Sequence, residues 1–368
     1  MAVAITKLNI EEFLTLAAKH PVLDVRSPGE FGHAHIPGAH SLALFSDDER
    51  KIVGTAYKQE SKEKAIKFGL EFFGTKMVKM VEEVEKVVRA HQQKKSSDNI
   101  VLVHCWRGGM RSAGVAWLLD LYGFKVYTLV GGYKVYRKWV LQQFEKNYSI
   151  NILGGYTGSG KTEVLHELAK KQQYIIDLEK LASHKGSAFG NLGQPPQPSQ
   201  EMFENLFAEA LHNIVLKQKD AQHRAAIWME DESQRIGEVN IPAVIYKQMR
   251  DKPICFLNIS FESRLDFIVK HYGGFEKEKL VNAIIRIKKR LGGLETKTAI
   301  NCLVEDNIKG CFSVLLTYYD KFYLKTLQNR ENFSSLFNKL ELETVSPEDN
   351  AREVLALEEK MISQRSIA

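Results

Sequence analysis

The sequence predicts an α/β protein of two domains, each built on a parallel sheet. Short apolar strands alternate with stretches of helical periodicity, an order that places helices on both faces of a parallel sheet. At 368 residues the chain is longer than one hydrophobic core usually supports. Two glycine-containing loops, around Cys105 and Gly155, each follow a predicted strand. We therefore expect domains at residues 1–140 and 141–368.

The first domain reads as strands and helices in turn. Residues 21–26 form a short apolar strand that ends in charged loop residues. A long helical stretch follows and closes in a polar turn, and Gly123 marks a later helix end. The remaining elements are, in order, a helix over 65–91, the turn at 92–98, a strand over 100–104, a helix over 112–121, a strand over 125–129 and a helix within 131–148.

The second domain begins with the strand at residues 149–153. A helix is predicted over 163–171, after the glycine-rich loop, and further strands end near residues 177 and 230. Residues 193–200, rich in proline and glutamine, form a loop. Because the chain has no Gly/Ser-rich linker, the domains are expected to be held close together.

Composition narrows the class of protein. A hydrophobic content of 44% with 26% charged residues is typical of a globular chain, and no apolar run is long enough to span a membrane. The N-terminus lacks the parts of a secretion signal, and the four cysteines show no CxxC pair, which favours the reducing cytoplasm. The net charge of +6 allows an anionic partner such as a nucleotide or an RNA without requiring one.

The segment HCWRGGMRS, residues 104–112, predicts an anion-binding loop. Cys105 follows a buried strand and precedes a helix, so backbone N–H groups converge there. Arg107 and Arg111 add positive charge, and the two glycines let the backbone curl around a tetrahedral guest. The same field lowers the pKa of the thiol, which makes Cys105 a candidate nucleophile. The spacing alone leaves open a phosphatase nucleophile, a chalcogen carrier or a packed thiol.

Residues 155–162 match G-x-x-x-x-G-K-[ST] and lie between a strand and a helix, as this phosphate-binding motif requires. Backbone amides cradle a diphosphate, the lysine adds a point charge, and the threonine hydroxyl is available to a metal ion such as Mg²⁺. A nucleoside triphosphate is the default guest, but any diphosphate, including a prenyl diphosphate, satisfies the same amides. The predicted phosphate-binding residues are Gly155, Gly158, Ser159, Gly160, Lys161 and Thr162.

Carboxylates follow two other predicted strands of this domain. Glu230 and Asp231 end an apolar run in the manner of a Walker-B element, and Asp177 ends another. Since parallel strands end at one sheet edge, these side chains are expected near the phosphates or a magnesium ion. Whether a metal binds, and through which ligands, stays open. His33, His35 and His40 are interpreted as structural, because no cysteine or carboxylate pattern completes a metal site with them.

The segments DVRSPGEF (24–31) and HIPGAH (35–40), together with the cysteine loop, resemble the rhodanese family over about residues 5–135. That resemblance implies a loop cysteine that carries a persulfide or perselenide. Cell-cycle dual-specificity phosphatases share the rhodanese fold, so fold alone does not choose between carrier and phosphatase.

Over nearly its whole length the chain resembles the tRNA 2-selenouridine synthase family. The resemblance rests on CWRGGMRS (105–112), GGYK (131–134), the loop at 154–162, DLE (177–179), HKGSAFG (184–190), EDES (230–233) and IG (236–237). It implies an N-terminal rhodanese-like domain followed by a P-loop NTPase-like domain. The implied reaction replaces the sulfur of wobble 2-thiouridine in tRNA by selenium from selenophosphate, through an S-geranyl intermediate made from geranyl diphosphate. No covalently bound cofactor is implied.

Contacts with tRNA are expected where basic residues interleave with aromatic ones, or on polar glycine-containing loops. The candidates are Tyr133, Lys134 and Arg137 between the domains, Arg290 in a basic segment, and His184, Lys185 and Ser187 after the Asp177 strand. Three rival hypotheses stay open: a cysteine-dependent phosphatase fused to a P-loop kinase, a catalytically idle tRNA adaptor, and a plain sulfur relay.

Overall fold

The computed structural model of the chain describes residues 5–92, 99–220 and 225–365. The turn predicted at 92–98 falls, from residue 93 on, outside these residues. The chain divides into two compact units, one of residues up to 143 with 204–209, the other of 144–203 with 210 onward. The boundary predicted after residue 140 lies within the helix at the end of the first unit and stays a prediction.

The first unit contains a five-stranded sheet in the order β1-β5-β4-β2-β3, and every pair in it is parallel. The predicted strands at 100–104 and 125–129 are confirmed as β4 and β5, and the strand at 21–26 is confirmed in its centre as β2. The strands are β1 (Thr6–Leu8), β2 (Val22–Asp24), β3 (His40–Ser41), β4 (Ile100–His104) and β5 (Lys125–Leu129).

Helices cover this sheet, and valines of β4 pack with apolar residues of α5 and α6 in one core, among them Val84, Val103 and Leu119. The helix predicted over 65–91 is two helices, since α4 ends at Gly74 and α5 begins at Met77. The helices are α1 (Ile10–Ala17), α2 (Pro28–His33), α3 (Asp47–Gln59), α4 (Lys62–Gly74), α5 (Met77–Gln92), α6 (Met110–Tyr122) and α7 (Gly132–Phe144).

The second unit contains a parallel five-stranded sheet in the order β12-β11-β6-β8-β7 and a small antiparallel pair, β9 with β10. The α/β class with parallel sheets is thereby confirmed. Because β6 and β8 are neighbours, the residues that follow them meet at one sheet edge. The strands are β6 (Ile150–Gly155), β7 (Tyr174–Ile176), β8 (Ile227–Glu230), β9 (Arg235–Ile236), β10 (Val239–Asn240), β11 (Ile254–Ile259) and β12 (Phe337–Leu342).

Two apolar cores hold this unit together. One lies between the sheet and helices α8 and α17, and the other lies within a helical bundle formed by α12 to α15, which the sequence analysis did not foresee. The helices are α8 (Lys161–Lys170), α9 (Leu178–Ala182), α10 (Gln200–Asp220), α11 (Ala243–Arg250), α12 (Phe261–Tyr272), α13 (Lys277–Leu291), α14 (Gly293–Val304), α15 (Ile308–Gln328), α16 (Phe333–Leu336) and α17 (Pro347–Arg365). None of the helices in the described residues is both long enough and apolar enough to cross a bilayer.

Candidate functional site

Cys105 lies directly after β4 with its side chain buried. Its Sγ is 3.3 Å from the Ser112 hydroxyl oxygen, near the start of α6. Burial alone would raise the pKa of the thiol, but the Ser112 hydroxyl and the backbone N–H groups of Ser112, Arg107 and Gly109 bond to the sulfur and lower its pKa. Amides that converge on one sulfur make an anion cup that favours the ionised form of the Cys105 thiol.

The two arginines of the loop have different surroundings. Arg107 is exposed, whereas the Arg111 guanidinium donates to the Glu30 carboxylate of α2 at 2.9 Å. Glu30 also accepts from Arg50 at 2.7 Å. Burial alone would raise the pKa of Glu30, but the hydrogen bond and charge of Arg111, with further donors, lower it to about 2. Glu30, which the sequence analysis did not single out, thus holds Arg111 beside the loop.

The GGYK segment packs against the cysteine loop. The backbone N–H of Tyr133 donates to the Cys105 carbonyl at 2.8 Å, and that of Lys134 to the Trp106 carbonyl at 3.0 Å. Gly132 has φ +58°, and a Cβ there would lie 2.3 Å from the Cys105 carbonyl oxygen. The two segments approach too closely for any side chain at this position. The glycine therefore sets the shape of the anion cup.

The expected contact of Tyr133 with tRNA is corrected by the structure. The Tyr133 ring is fully buried, and the Arg26 guanidinium lies 3.8 Å from its centroid. Arg26 is itself buried in an ion pair with Asp24 at 2.6 Å. A ring enclosed in this way offers no surface to RNA. Lys134 is exposed, and Arg137 donates to Asn205 and Glu204, so RNA contacts by these two stay predictions.

In the second unit, the glycine-rich loop runs from the end of β6 to the start of α8. Gly158 has φ +80°, and a Cβ there would lie 2.7 Å from Ile268. The buried guanidinium of Arg264 donates to the Thr157 carbonyl at 3.0 Å and pairs with Asp320 at 2.7 Å. The Lys161 ammonium donates to the Gly155 carbonyl at 3.0 Å. The ion pair of Arg264 and Asp320 thus supports the glycine-rich loop through the Thr157 carbonyl.

Three carboxylates meet beside this loop. Oxygens of Glu179, Glu230 and Glu232 all lie within 4.8 Å of one another, and the Thr162 hydroxyl donates to Glu179 at 3.2 Å. Burial and then the neighbouring carboxylates raise the pKa of Glu230 to about 8, and burial together with nearby carboxylates raises that of Glu232 to about 7. The Oε1 atom of buried Glu230 has no hydrogen-bond partner among the described residues. Such a donor set fits a divalent cation, which prefers carboxylate oxygens.

Of these three carboxylates, Glu230 was predicted from the sequence as a site residue, whereas Glu179 and Glu232 were not. The spacing of Glu230 and Glu232 was the available signal, since residues two apart in an extended segment share a side. Asp231 lies between them and accepts instead from Arg330 and, at 2.7 Å, from the Tyr323 hydroxyl. That hydroxyl in turn accepts the Gly155 N–H at 3.3 Å. A direct contact of Asp231 with a diphosphate stays a prediction.

Asp177 caps α9 by accepting from the Lys180 N–H at 2.8 Å and lies 2.7 Å from a His166 ring nitrogen. Its charge contributes to the raised pKa values of Glu230 and Glu232, so it lies near the acidic cluster. Ser159 is fully buried, and its hydroxyl has no hydrogen-bond partner among the described residues. Asp177 thus already has partners within the protein, and Ser159 is enclosed by it. Contacts of either side chain with a diphosphate stay predictions.

A cavity of about 960 Å³ opens over the glycine-rich loop and the acidic cluster. Most of the residues predicted in this unit line it: Gly155, Gly158, Gly160, Lys161, Thr162, His184, Lys185, Ser187, Glu230, Asp231 and Arg290. The wall that comes from the helical bundle carries, besides Arg290, the apolar side chains of Phe267, Ile268, Tyr272, Phe312, Leu315 and Leu316. The Lys185 ammonium lies 5.6 Å from the centre of the Tyr272 ring, where the two walls meet. The cavity fits a ligand with an anionic end and an apolar end.

Comparisons with known proteins match two separate parts of the chain to two domain families. Residues 9–138 match the rhodanese-like domain, and residues 148–345 match the AAA domain of tRNA 2-selenouridine synthase. The chain is similar to tRNA 2-selenouridine synthases of Bdellovibrio bacteriovorus (31% identical, covering 84% of this chain and 89% of the relative) and Cupriavidus pinatubonensis (33%, 82% and 87%). It is also similar to that of Shewanella denitrificans (35%, 77% and 78%).

Proposed function

The chain belongs to the tRNA 2-selenouridine synthase family, and from this premise we propose that it is a tRNA-modifying transferase. It converts wobble 2-thiouridine to 2-selenouridine by way of S-geranyl-2-thiouridine, with geranyl diphosphate and selenophosphate as co-substrates. The observation that carries the proposal is the two-sided cavity, with phosphate-binding groups at one end and a wall of apolar side chains at the other.

The polar end supports departure of a diphosphate. The loop amides and the Lys161 ammonium face the place where negative charge grows as the carbon–oxygen bond of geranyl diphosphate breaks, and such preorganised donors stabilise that transition state. Glu179, Glu230 and Glu232, with the Thr162 hydroxyl, would hold a divalent cation. A bound Mg²⁺ supplies charge neutralisation on the leaving diphosphate. The cluster thus complements the loop.

The apolar wall supports a prenyl chain as the rest of the ligand. Removing a ten-carbon chain from water is worth roughly 8 kcal/mol before ordering costs, at about 0.8 kcal/mol for each methylene-sized group. Phe267, Tyr272 and Ile287 line the cavity and are only half-buried, so they offer such a surface, whereas inorganic pyrophosphate gains nothing from it. We therefore expect geranyl diphosphate to bind far more tightly than pyrophosphate, which calorimetry with both ligands measures.

The first unit supports the selenium step. Alkylation of the thiocarbonyl sulfur turns it into a neutral thiol leaving group at C2 of the base. The loop around Cys105 gathers backbone donors that suit an anion such as selenophosphate, and the lowered pKa of its thiol keeps the sulfur reactive. In this scheme the selenium of selenophosphate, held in the cup, attacks C2 and geranyl thiol departs from the same carbon. Hydrolysis of the phosphorus–selenium bond then releases phosphate and leaves selenium on the base.

The experiment that tests the proposal incubates the protein with 2-thiouridine tRNA, geranyl diphosphate and selenophosphate and weighs the nucleosides. Lys161→Ala is expected to block geranylation, whereas Cys105→Ala is expected to let S-geranyl-2-thiouridine accumulate. Lys170→Ala, at the exposed end of the same helix α8, and Cys302→Ala serve as matched controls. Accumulation of the geranylated nucleoside in the Lys161 variant instead would overturn this division of labour.

The rival reading as a phosphatase fused to a kinase requires a general acid at the cysteine loop. The carboxylate that the structure brings to this loop is Glu30, and with a pKa of about 2 it holds no proton near neutral pH. Cysteine-dependent turnover of an aryl phosphate would nevertheless favour that rival.

A further inference from the structure

One face of α15 combines aromatic and basic side chains. Tyr318, Lys321, Phe322 and Lys325 recur at the spacing that brings helical residues to one side. The Tyr318 and Phe322 rings are stacked, with centroids 6.4 Å apart and planes at 20°. Both rings line the cavity of the second unit, yet Phe322 is 49% exposed. The face therefore lies at the rim of the cavity, between its interior and solvent.

The cations of this face are not neutralised by carboxylates. Neither Lys321 nor Lys325 has a carboxylate within 4 Å among the residues that the structure describes, whereas exposed Lys277 and Lys309 each pair with an aspartate. The acidic residue within the same stretch, Asp320, is bound by Arg264 at 2.7 Å. The rim of α15 thus presents an uncompensated positive charge beside the exposed ring of Phe322 and the half-buried ring of Tyr318.

A second helix adds to the same charge. Arg286 and Arg290 of α13 line the cavity opposite this face and are exposed. Arg290 and Tyr318 line the same cavity, and the charge of Arg290 opposes the rise that burial causes in the pKa of the Tyr318 hydroxyl. Arg290 thus adds a positive charge to the cavity that both rings line.

We propose that the stacked rings of Tyr318 and Phe322, flanked by Lys321, Lys325 and Arg290, are a platform on which an unpaired base of the tRNA substrate stacks. This inference rests on the proposed function and deepens it. Exposed aromatic rings between cations are the recurring surface for single-stranded nucleic acids, because every base has a face that stacks and every linkage carries a negative charge. A prenyl chain would draw no benefit from the lysines.

The platform places the RNA where the reaction needs it. A base stacked at the rim lies next to the opening through which a neighbouring nucleotide reaches the glycine-rich loop. The lysines and Arg290 then contact the phosphates on either side of the stacked base, which adds affinity that depends on salt concentration.

The test measures binding of a stem-loop RNA that carries 2-thiouridine in its loop. Phe322→Ala is expected to weaken RNA binding about tenfold, within the range measured for stacked bases. Phe322→Trp should bind like the parent protein, and Phe322→Leu, which keeps an apolar surface but no ring, should resemble the alanine variant. Leu324→Ala, on the same helix but off this face, is the matched control and should leave the affinity unchanged.

A second arm identifies the base itself. RNAs with a single abasic nucleotide are scanned through the loop, and at one position the difference between the parent protein and Phe322→Ala should vanish. Lys321→Ala with Lys325→Ala should weaken all these RNAs alike and reduce the salt dependence, while Lys339→Ala, which loses a lysine already paired with Glu341, should not.

Two results would overturn the platform. One is equal RNA affinity of Phe322→Ala and the parent protein. The other is a loss of affinity for geranyl diphosphate without RNA, which would assign Phe322 to the prenyl chain. Failure of the parent protein to bind RNA or to alkylate it would instead contradict the proposed function. A failure of the platform and a failure of the proposed function are therefore distinguishable.

Discussion

Replacement of Gly132 by alanine tests the link between the GGYK segment and the cysteine loop. A Cβ at this position would lie 2.3 Å from the Cys105 carbonyl oxygen and 2.5 Å from the Gly108 nitrogen. Since Cβ contacts below 3 Å essentially never occur, the cysteine loop has to move by several tenths of an ångström. Misplacements of about 1 Å cost on the order of a hundredfold in rate. We expect selenium insertion to fall between about tenfold and a hundredfold.

Gly38→Ala separates this contact from backbone strain. Gly38 also has a positive φ, +76°, but a Cβ there meets no atom within 4 Å. Both variants pay roughly 1 kcal/mol for an alanine in the left-handed region. Only Gly132→Ala is expected to slow the alkylation of Cys105 by iodoacetamide, which mass spectrometry measures. Only this variant is also expected to accumulate the geranylated nucleoside.

The reasoning about Gly132 is refuted if both alanine variants lose the same free energy of unfolding and both keep the alkylation rate and selenium insertion of the parent protein. A loss of geranylation in Gly132→Ala would also contradict it, because that step is assigned to the other unit.

Three further predictions concern single side chains. Burial raises the pKa of Glu209 from an ordinary 4.5 to about 7, so ionising this carboxyl destabilises the folded protein. The destabilisation is absent at pH 4, grows as the pH rises above 4.5 and is complete above pH 7. In urea unfolding, Glu209→Gln should therefore be more stable than the parent protein by up to about 3 kcal/mol at pH 8 and equally stable at pH 4. Mg²⁺ at a hundred times its dissociation constant should stabilise the parent protein against unfolding by roughly 2.7 kcal/mol. Glu230→Gln should lose most of this stabilisation in thermal unfolding, because a neutral amide replaces a charged ligand. An unchanged response to Mg²⁺ would exclude Glu230 as a ligand. Tyr323→Phe removes the hydroxyl that joins the Gly155 N–H to Asp231, and calorimetry should show severalfold weaker binding of geranyl diphosphate, while equal affinity would show that this bridge does not position the loop.

Local patterns were sufficient for the parts of each site that are continuous in the chain. The cysteine loop and the glycine-rich loop each bring their donors together within a few residues, so strand, turn and helix signals place them without knowledge of the rest. The strands at 100–104 and 125–129 were predictable for the same reason, since each is a short β-branched run between turn residues.

The sequence misled where the environment of a side chain comes from distant residues. Tyr133 lies among basic residues along the chain and suggested an RNA contact, yet Arg26 covers its ring. The break between α4 and α5 was missed because the apolar periodicity continues across Thr75.

By itself the sequence determined the α/β class, the position of the two glycine-containing loops between strand and helix, and the family, because each of these depends on residues that are neighbours in the chain. Only the tertiary structure decided which carboxylates join Glu230, that Glu30 holds Arg111, and that α12 and α15 supply an apolar wall to the cavity. The physical reason is that sheet order and helix packing bring together segments far apart in the chain, and periodicity within a segment carries no information about its partner.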